Sequence, residues 1–302
     1  MSHKRQPLEG LQVIGIRYTG PHFIGEGQLA LNSYLTSNTY AEAQIPFDYT
    51  EPRLPEGLEH AGEASRVGAL GGAIADIVAP ARRAGKGVLM TGGNCHHVTG
   101  MLGGLQDAHG PSARIGLVWF DAHGDFNTPK TTLSGSLGGM PVAVCAGLTL
   151  PDWRERSHMV APLPTNRIVM TDLRNLDPAE EQLIRATDIV VVTPFAAKNN
   201  ADFKMAVTDL TKRVDMIYLH IDADILDEAY VPNHATREPD GPNIPQVLDA
   251  IDIVMATGQV VALAVVSVYF QGHGNEVDLS SGAELIRGGL SSWRQYGLPA
   301  II

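Results

Sequence analysis

The sequence predicts an α/β protein built on a doubly wound parallel sheet. Short apolar runs alternate with longer stretches of helical periodicity, the pattern of repeated βαβ units. Most of the runs are continuously apolar rather than alternating, as strands covered on both faces are. Three of them stop abruptly at clusters of Asp, His and Cys, which is where open α/β sheets place their sites.

The elements follow in order. Residues 11–18 read as the first strand. A loop-rich region, 21–57, comes next, then a helix over 60–83 and a strand over 87–91. Residues 98–108 read as a helix, 114–120 as a strand, and 124–140 as a second loop-rich region. Strands at 167–171 and 188–193 flank a helix at 178–186, with Asp177 as its cap and Pro178 in its first turn. A helix at 201–214, a strand at 216–221, a helix at 244–257, a strand at 260–269 and a helix at 282–296 complete the chain. With no repeat, low-complexity tract or linker between them, the elements are expected to form one domain over residues 1–302.

Composition narrows the function. Of 302 residues, 44% are hydrophobic and 18% charged, ample for a large core, and the formal net charge is −11. That balance argues against sequence-independent nucleic-acid binding, which needs a basic face, and against an anionic membrane surface. No apolar stretch approaches the roughly 18 residues that span a bilayer. The two cysteines, Cys95 and Cys145, do not make a disulfide framework and fit a reducing compartment. The polar N-terminus has no apolar segment behind it, so a cytoplasmic location is expected.

The chemistry sits where the strands end. "GGNCHHVTG" (92–100), "DAHGD" (121–125) and "DADILD" (222–227) each follow an apolar run. Side chains two apart on an extended segment point the same way. Asp121, His123 and Asp125 can therefore converge, and so can Asp222 and Asp224. Burying even one unpaired ion costs on the order of several kcal/mol. Four carboxylates gathered without cations would repel, and divalent metals remove that problem.

With these residues assembled, the sequence resembles the arginase–agmatinase family. The segments "GGNCHHVTG", "DAHGDFNTPKTTLSG", "DLRNLDPAE" and "DADILD" run in family order. The resemblance implies a three-layer α/β/α fold with a parallel sheet of about eight strands. It implies two Mn²⁺ ions per chain, held by Cys95, Asp121, His123, Asp125, Asp222 and Asp224, with His123 and Asp125 at the catalytic centre. The expected reaction is hydrolysis of the guanidino group of an arginine-like amino acid. Asn127 and Ser134 match residues that bind the substrate α-carboxylate, and Asp177 matches one near its α-amino group; as plain residues they also suit turns and a helix cap. A homo-oligomer, trimer or hexamer, is the usual family assembly.

Three departures stand out. Gapless matching from Gly92 to Gly100 puts Cys95, rather than His96, at the usual histidine ligand, as in a branch acting on N-hydroxyarginine; a local shift would make His96 the ligand instead. The family's proton-shuttle histidine falls on Gly138, four residues past Ser134, leaving His234 and His273 as candidates that also read as surface-loop histidines. The guanidinium-binding glutamate falls on Ser267, with Glu276 the nearest replacement in sequence. Four carboxylates and a thiolate exceed the charge of two Mn²⁺, which would offset the missing glutamate by attracting a guanidine from the metal side; a less basic guanidine such as N-hydroxyarginine would also need that glutamate less. Formiminoglutamase-like or agmatinase-like hydrolysis, and a catalytically weak metal-binding homologue, are the alternatives; Arg237 is the one nearby loop cation for a second carboxylate.

Overall fold

Continuous apolar runs need cover on both faces, and the computed structural model supplies it with a sheet between two helical layers. It describes residues 5–25, 29–193, 195, 200–268 and 275–300. The sheet strands are β1 (Leu11–Ile16), β2 (Phe47–Thr50), β3 (Gly87–Gly92), β4 (Ile115–Phe120), β5 (Ile168–Thr171), β6 (Val190–Val192), β7 (Met216–Asp222) and β8 (Val260–Val266). Their spatial order is β2-β1-β3-β8-β7-β4-β5-β6, and every pairing is parallel.

Strand alternation divides the core in two. On β7, Ile217, Leu219 and Ile221 join one buried cluster, while Met216 and Tyr218 join another. On β3, Leu89 faces the first, and Val88 and Met90 face the second. The first cluster is closed by helices α7 (Ala201–Thr211), α8 (Ile244–Met255) and α9 (Asn275–Tyr296). The second is closed by α2 (Glu63–Arg83) and α3 (Val98–His109). This is the three-layer α/β/α arrangement expected.

Glycines let α2 and α3 approach closely. A Cβ on Gly100 would lie 2.5 Å from the Gly71 carbonyl oxygen, and one on Gly103 would lie 1.7 Å from that of Ser157.

Region 21–57 is not all loop. It contains helix α1 (Leu29–Thr36) and the edge strand β2, which pairs with β1. Two short helices, α4 (Pro141–Cys145) and α5 (Pro151–Arg156), were not anticipated either. Helix α6 (Pro178–Arg185) lies where its cap placed it, whereas α9 begins at Asn275, ahead of its expected start. Among the described residues, no helix is long and apolar enough to cross a membrane.

Candidate metal centre

Four adjacent strands, β3, β8, β7 and β4, aim their carboxyl ends at one place. Cys95 follows β3, Ser267 follows β8, Asp222 ends β7, and Asp121 follows β4. Three overlapping groups of potential metal donors result: Cys95, Asp121 and Asp222; Asp121, His123 and Asp224; and Asp222, Asp224 and His234. Within each group, one ligand atom per residue lies within 4.8 Å of the others.

The contacts are specific. The Cys95 thiol donates to Asp222 Oδ2 at 2.9 Å and lies 3.5 Å from Asp121 Oδ2. His123 Nδ1 stands 3.3 Å from Asp121 Oδ1 and 3.1 Å from Asp224 Oδ2, while its Nε2 meets Glu238 Oε1 at 3.3 Å. His234 Nε2 lies 3.2 Å from Asp222 Oδ1, and its Nδ1 lies 3.6 Å from Asp224 Oδ2. Ser267 donates its hydroxyl to Asp222 Oδ2 at 2.5 Å. Its backbone is left-handed, with φ of 61°, and its N–H donates to the Gly93 carbonyl. That uncommon conformation for a non-glycine residue directs the hydroxyl into the cluster.

Backbone and cation contacts hold the loops. Arg174 donates to the carbonyl oxygens of Asp224 and Ile225 and pairs with Asp172. Glu180, at the start of α6, accepts the Phe126 N–H at 2.8 Å and so ties that helix to the "DAHGD" loop.

The cluster is acidic and buried. Burial raises the Asp121 pKa well above the carboxylate range, and the nearby Asp224 and Asp222 charges add to it. Burial, then the Asp121 charge, does the same at Asp125. Burial opposes protonation of His123, but hydrogen bonds to Asp121 and Asp224 override it and raise its pKa to about 12. Burial would also raise Asp222; donation from His234, Cys95 and Ser267 instead holds it below the usual range. The Cys95 thiol is pushed up by burial and by Asp222 and Asp121. None of the described residues lining the surrounding cavity, of about 580 Å³, is lysine or arginine. Protons or cations must neutralise the carboxylates, and oxygen, imidazole and thiol donors fit divalent manganese or zinc.

Each expected site residue can now be placed. Cys95, Asp121, His123, Asp222 and Asp224 converge. Asp125 lines the same cavity without joining the three groups, on a backbone with φ of 47°. His96 lines the same cavity but joins none of the three groups, and its ring stacks on Trp153 with centroids 5.6 Å apart. Asn127, Ser134 and Asp177 all line the cavity. Asn127 donates to Asp177 Oδ2 at 3.2 Å, and the same oxygen accepts the Leu133 N–H at 2.9 Å. Asp177 also begins α6, so its capping and rim positions coincide.

His234 corrects the surface-loop expectation: it is 3% exposed. Glu276 is exposed and is not among the cavity-lining residues, so it does not replace Ser267. His273 lies outside the described residues. Sequence reasoning missed His220, which packs its Nε2 3.4 Å from Cys95 Sγ, stacks on Trp119 and meets the Tyr218 hydroxyl through Nδ1 at 2.8 Å. Its position two residues before Asp222 on β7 was the available signal.

Comparison with known proteins follows the geometry. The arginase family model matches residues 45–287. An arginase of Eremothecium gossypii is 30% identical over 225 residues, covering 73% of this chain and 56% of that protein. An arginase of Entamoeba histolytica is 29% identical over 197 residues, covering 64% and 66%. The matches thus span between half and two thirds of these relatives. The crystal structure of Entamoeba histolytica arginase with L-ornithine superposes with a TM-score of 0.80 at 21% identity, covering 94% of this chain and 99% of that one. Formimidoylglutamase from Bacillus subtilis superposes with a TM-score of 0.72 at 14% identity, covering 96% and 88%. At those identities the structural likeness establishes the fold, and the family match over most of the sequence establishes descent: the chain belongs to the arginase family.

Proposed function

We propose that the protein is a dinuclear manganese hydrolase that cleaves the guanidino group of an arginine-like amino acid, with N-hydroxyarginine favoured over arginine. The observation that carries this reading is the set of three donor groups sharing Asp121, Asp222 and Asp224 beneath one open cavity. Cys95, Asp121, His123, Asp125, Asp222 and Asp224 would hold the two ions. When bound, the pair supplies a water nucleophile at neutral pH and stabilises charge developing at the guanidino carbon.

The chain's own side chains do the rest. Asp121, Asp224 and Glu238 fix the His123 ring on three sides. Asp125 lines the cavity as a carboxylate that can accept a proton and pass it to the departing amine. Asn127 and Ser134 offer hydrogen bonds to an α-carboxylate, and Asp177 offers a negative partner to an α-amino group. Ser267 supplies no anion for a guanidinium, and its hydroxyl is engaged by Asp222. A less basic, substituted guanidine loses least from that.

The alternatives fit less well. Formiminoglutamate brings a second carboxylate, yet none of the described lining residues is lysine or arginine, and Arg237 is 53% exposed at its side chain beside Glu228. Agmatine has no carboxylate for Asn127 and Ser134. The test is release of urea from arginine and hydroxyurea from N-hydroxyarginine by Mn²⁺-loaded protein. Preference for the hydroxylated substrate is expected. Full metal content with neither product released would establish the catalytically weak homologue instead.

A further inference from the structure

The imidazole missing at position 138 has a spatial substitute. A Cβ built on Gly138 would lie 3.4 Å from Cε1 of His96. One built on Gly20, whose φ is +54°, would lie 3.5 Å from Nε2 of the same ring. Two glycines therefore bracket the Nε2–Cε1 edge of His96, and neither carries a side chain to cover it. His96, Gly20 and Gly138 all line the cavity that contains the donor cluster.

The ring is fixed in one orientation. Its Nδ1 lies 3.0 Å from Asn94 Oδ1. That oxygen also receives the Gly20 N–H at 3.3 Å, which identifies it as an acceptor. Nδ1 must then carry the proton, and Nε2 keeps its lone pair. The ring stacks on Trp153 at an interplanar angle of 23°, and the fully buried indole is anchored by donation to Thr99 Oγ1 at 3.0 Å. Among the described residues no carboxylate forms an ion pair with this buried ring, so nothing compensates a charge on the imidazole. The result is a rigid, uncharged hydrogen-bond acceptor beside Cys95, on the wall where Gly138 contributes nothing.

Resting on the guanidino reading, we propose that His96 is a substrate-contacting residue whose Nε2 accepts a hydrogen bond from the terminal nitrogen substituent of the guanidino group. A neutral acceptor does not replace the missing anion, and the O–H of a hydroxylated terminal nitrogen extends one atom further toward it than an unsubstituted N–H. The wall thereby selects a guanidino group hydroxylated at its terminal nitrogen.

His96→Phe keeps the stack on Trp153 and removes both nitrogens; His96→Gln restores an acceptor. Steady-state kinetics with N-hydroxyarginine, calorimetric binding of ornithine and manganese content are measured on each Mn²⁺-loaded protein. In His96→Phe we expect KM for N-hydroxyarginine to rise about 10- to 30-fold, the loss of one good hydrogen bond. Ornithine lacks the guanidino group, so its affinity should stay within about twofold and manganese content should match wild type. His96→Gln should recover most of the loss. Unchanged KM in His96→Phe overturns the inference while leaving the guanidino reading intact. Equal weakening of ornithine, or loss of manganese, shows a structural role and also overturns it. A wild type that neither binds nor hydrolyses either guanidino acid overturns the guanidino reading and the inference with it.

Discussion

Replacing His234 with alanine tests whether this loop histidine is part of the metal centre. Asp222 receives four donors. Its Oδ1 accepts from the Asp224 N–H at 3.1 Å and His234 Nε2 at 3.2 Å; its Oδ2 accepts from Cys95 at 2.9 Å and Ser267 at 2.5 Å. The protein thus aims both oxygens of the carboxylate shared by two of the three donor groups. A hydrogen bond to a charged group contributes about 1.5–3 kcal/mol. Partners that orient a metal-binding side chain typically contribute about 10–100-fold in affinity. His234→Ala should therefore weaken Mn²⁺ binding by about 10- to 100-fold, read by calorimetric titration or by the electron paramagnetic resonance signal of free Mn²⁺. The fold should survive, because the site lies beyond the carboxyl ends of the central strands rather than within either apolar core. Affinity within about twofold of wild type would refute the argument that Asp222 depends on His234.

Three other expectations follow. In the metal-free protein, Asp121 and Asp125 have raised pKa values and His123 titrates at about 12, so the folded state holds protons that the unfolded chain releases. The stability from these groups is complete below their unfolded values, about 4 for the carboxylates and 6.5 for the imidazole, and is lost as pH rises through the folded ones. Asp222 has the opposite sign, but its contribution disappears only in strong acid. Because Mn²⁺ displaces the same protons, the rise in Tm on adding it should be larger at pH 8 than at pH 6, and scanning calorimetry showing the reverse would refute the ligand set. Cys95→His removes one negative charge and should shift the kcat/KM ratio toward arginine by about tenfold, ~1.4 kcal/mol; an unchanged ratio would show that the thiol does not set substrate preference. Gly103→Ala forces a Cβ to within 1.7 Å of the Ser157 oxygen unless the α3–α5 packing shifts. It should cost about 3 kcal/mol, visible as a lower urea midpoint, and an unmoved midpoint would mean that the packing yields freely.

What could be read from the sequence was what local pattern determines. All seven expected strands lie in the sheet; burial on both faces leaves an unbroken apolar run in the central ones, and the edge strand β6 was marked by its run of valines. The eighth, β2, has no such run: Phe-Asp-Tyr-Thr alternates, and as an edge strand it is mostly exposed. The convergence of Asp121, His123, Asp222 and Asp224 was legible because each pair is two residues apart at a strand end. His234 was not, because a loop's path is set by tertiary contacts: the Asn233 side chain and N–H reach Asp278 on α9, and the His234 N–H returns to the Val231 carbonyl. The placement of His96 beside Gly138 likewise depends on two separate loops meeting above Trp153, which no spacing encodes.

The departures from the family pattern are physically connected. Cys95, Ser267 and the buried His234 all direct a donor at Asp222, which their combined hydrogen bonds keep ionised despite complete burial. A glutamate in place of Ser267 would set a second carboxylate against the oxygen that now accepts a hydrogen bond at 2.5 Å. At about 4 Å and an effective dielectric of 20, two such charges repel by roughly 4 kcal/mol. The serine instead gives Asp222 a hydroxyl donor at short reach. If the substrate is the proposed guanidino acid, the same substitution leaves its far end without an anion and puts recognition there on neutral groups such as the fixed imidazole of His96. On the proposed guanidino reading, orientation of Asp222 and preference for a less basic guanidino group would both follow from one change in side-chain chemistry at the end of β8.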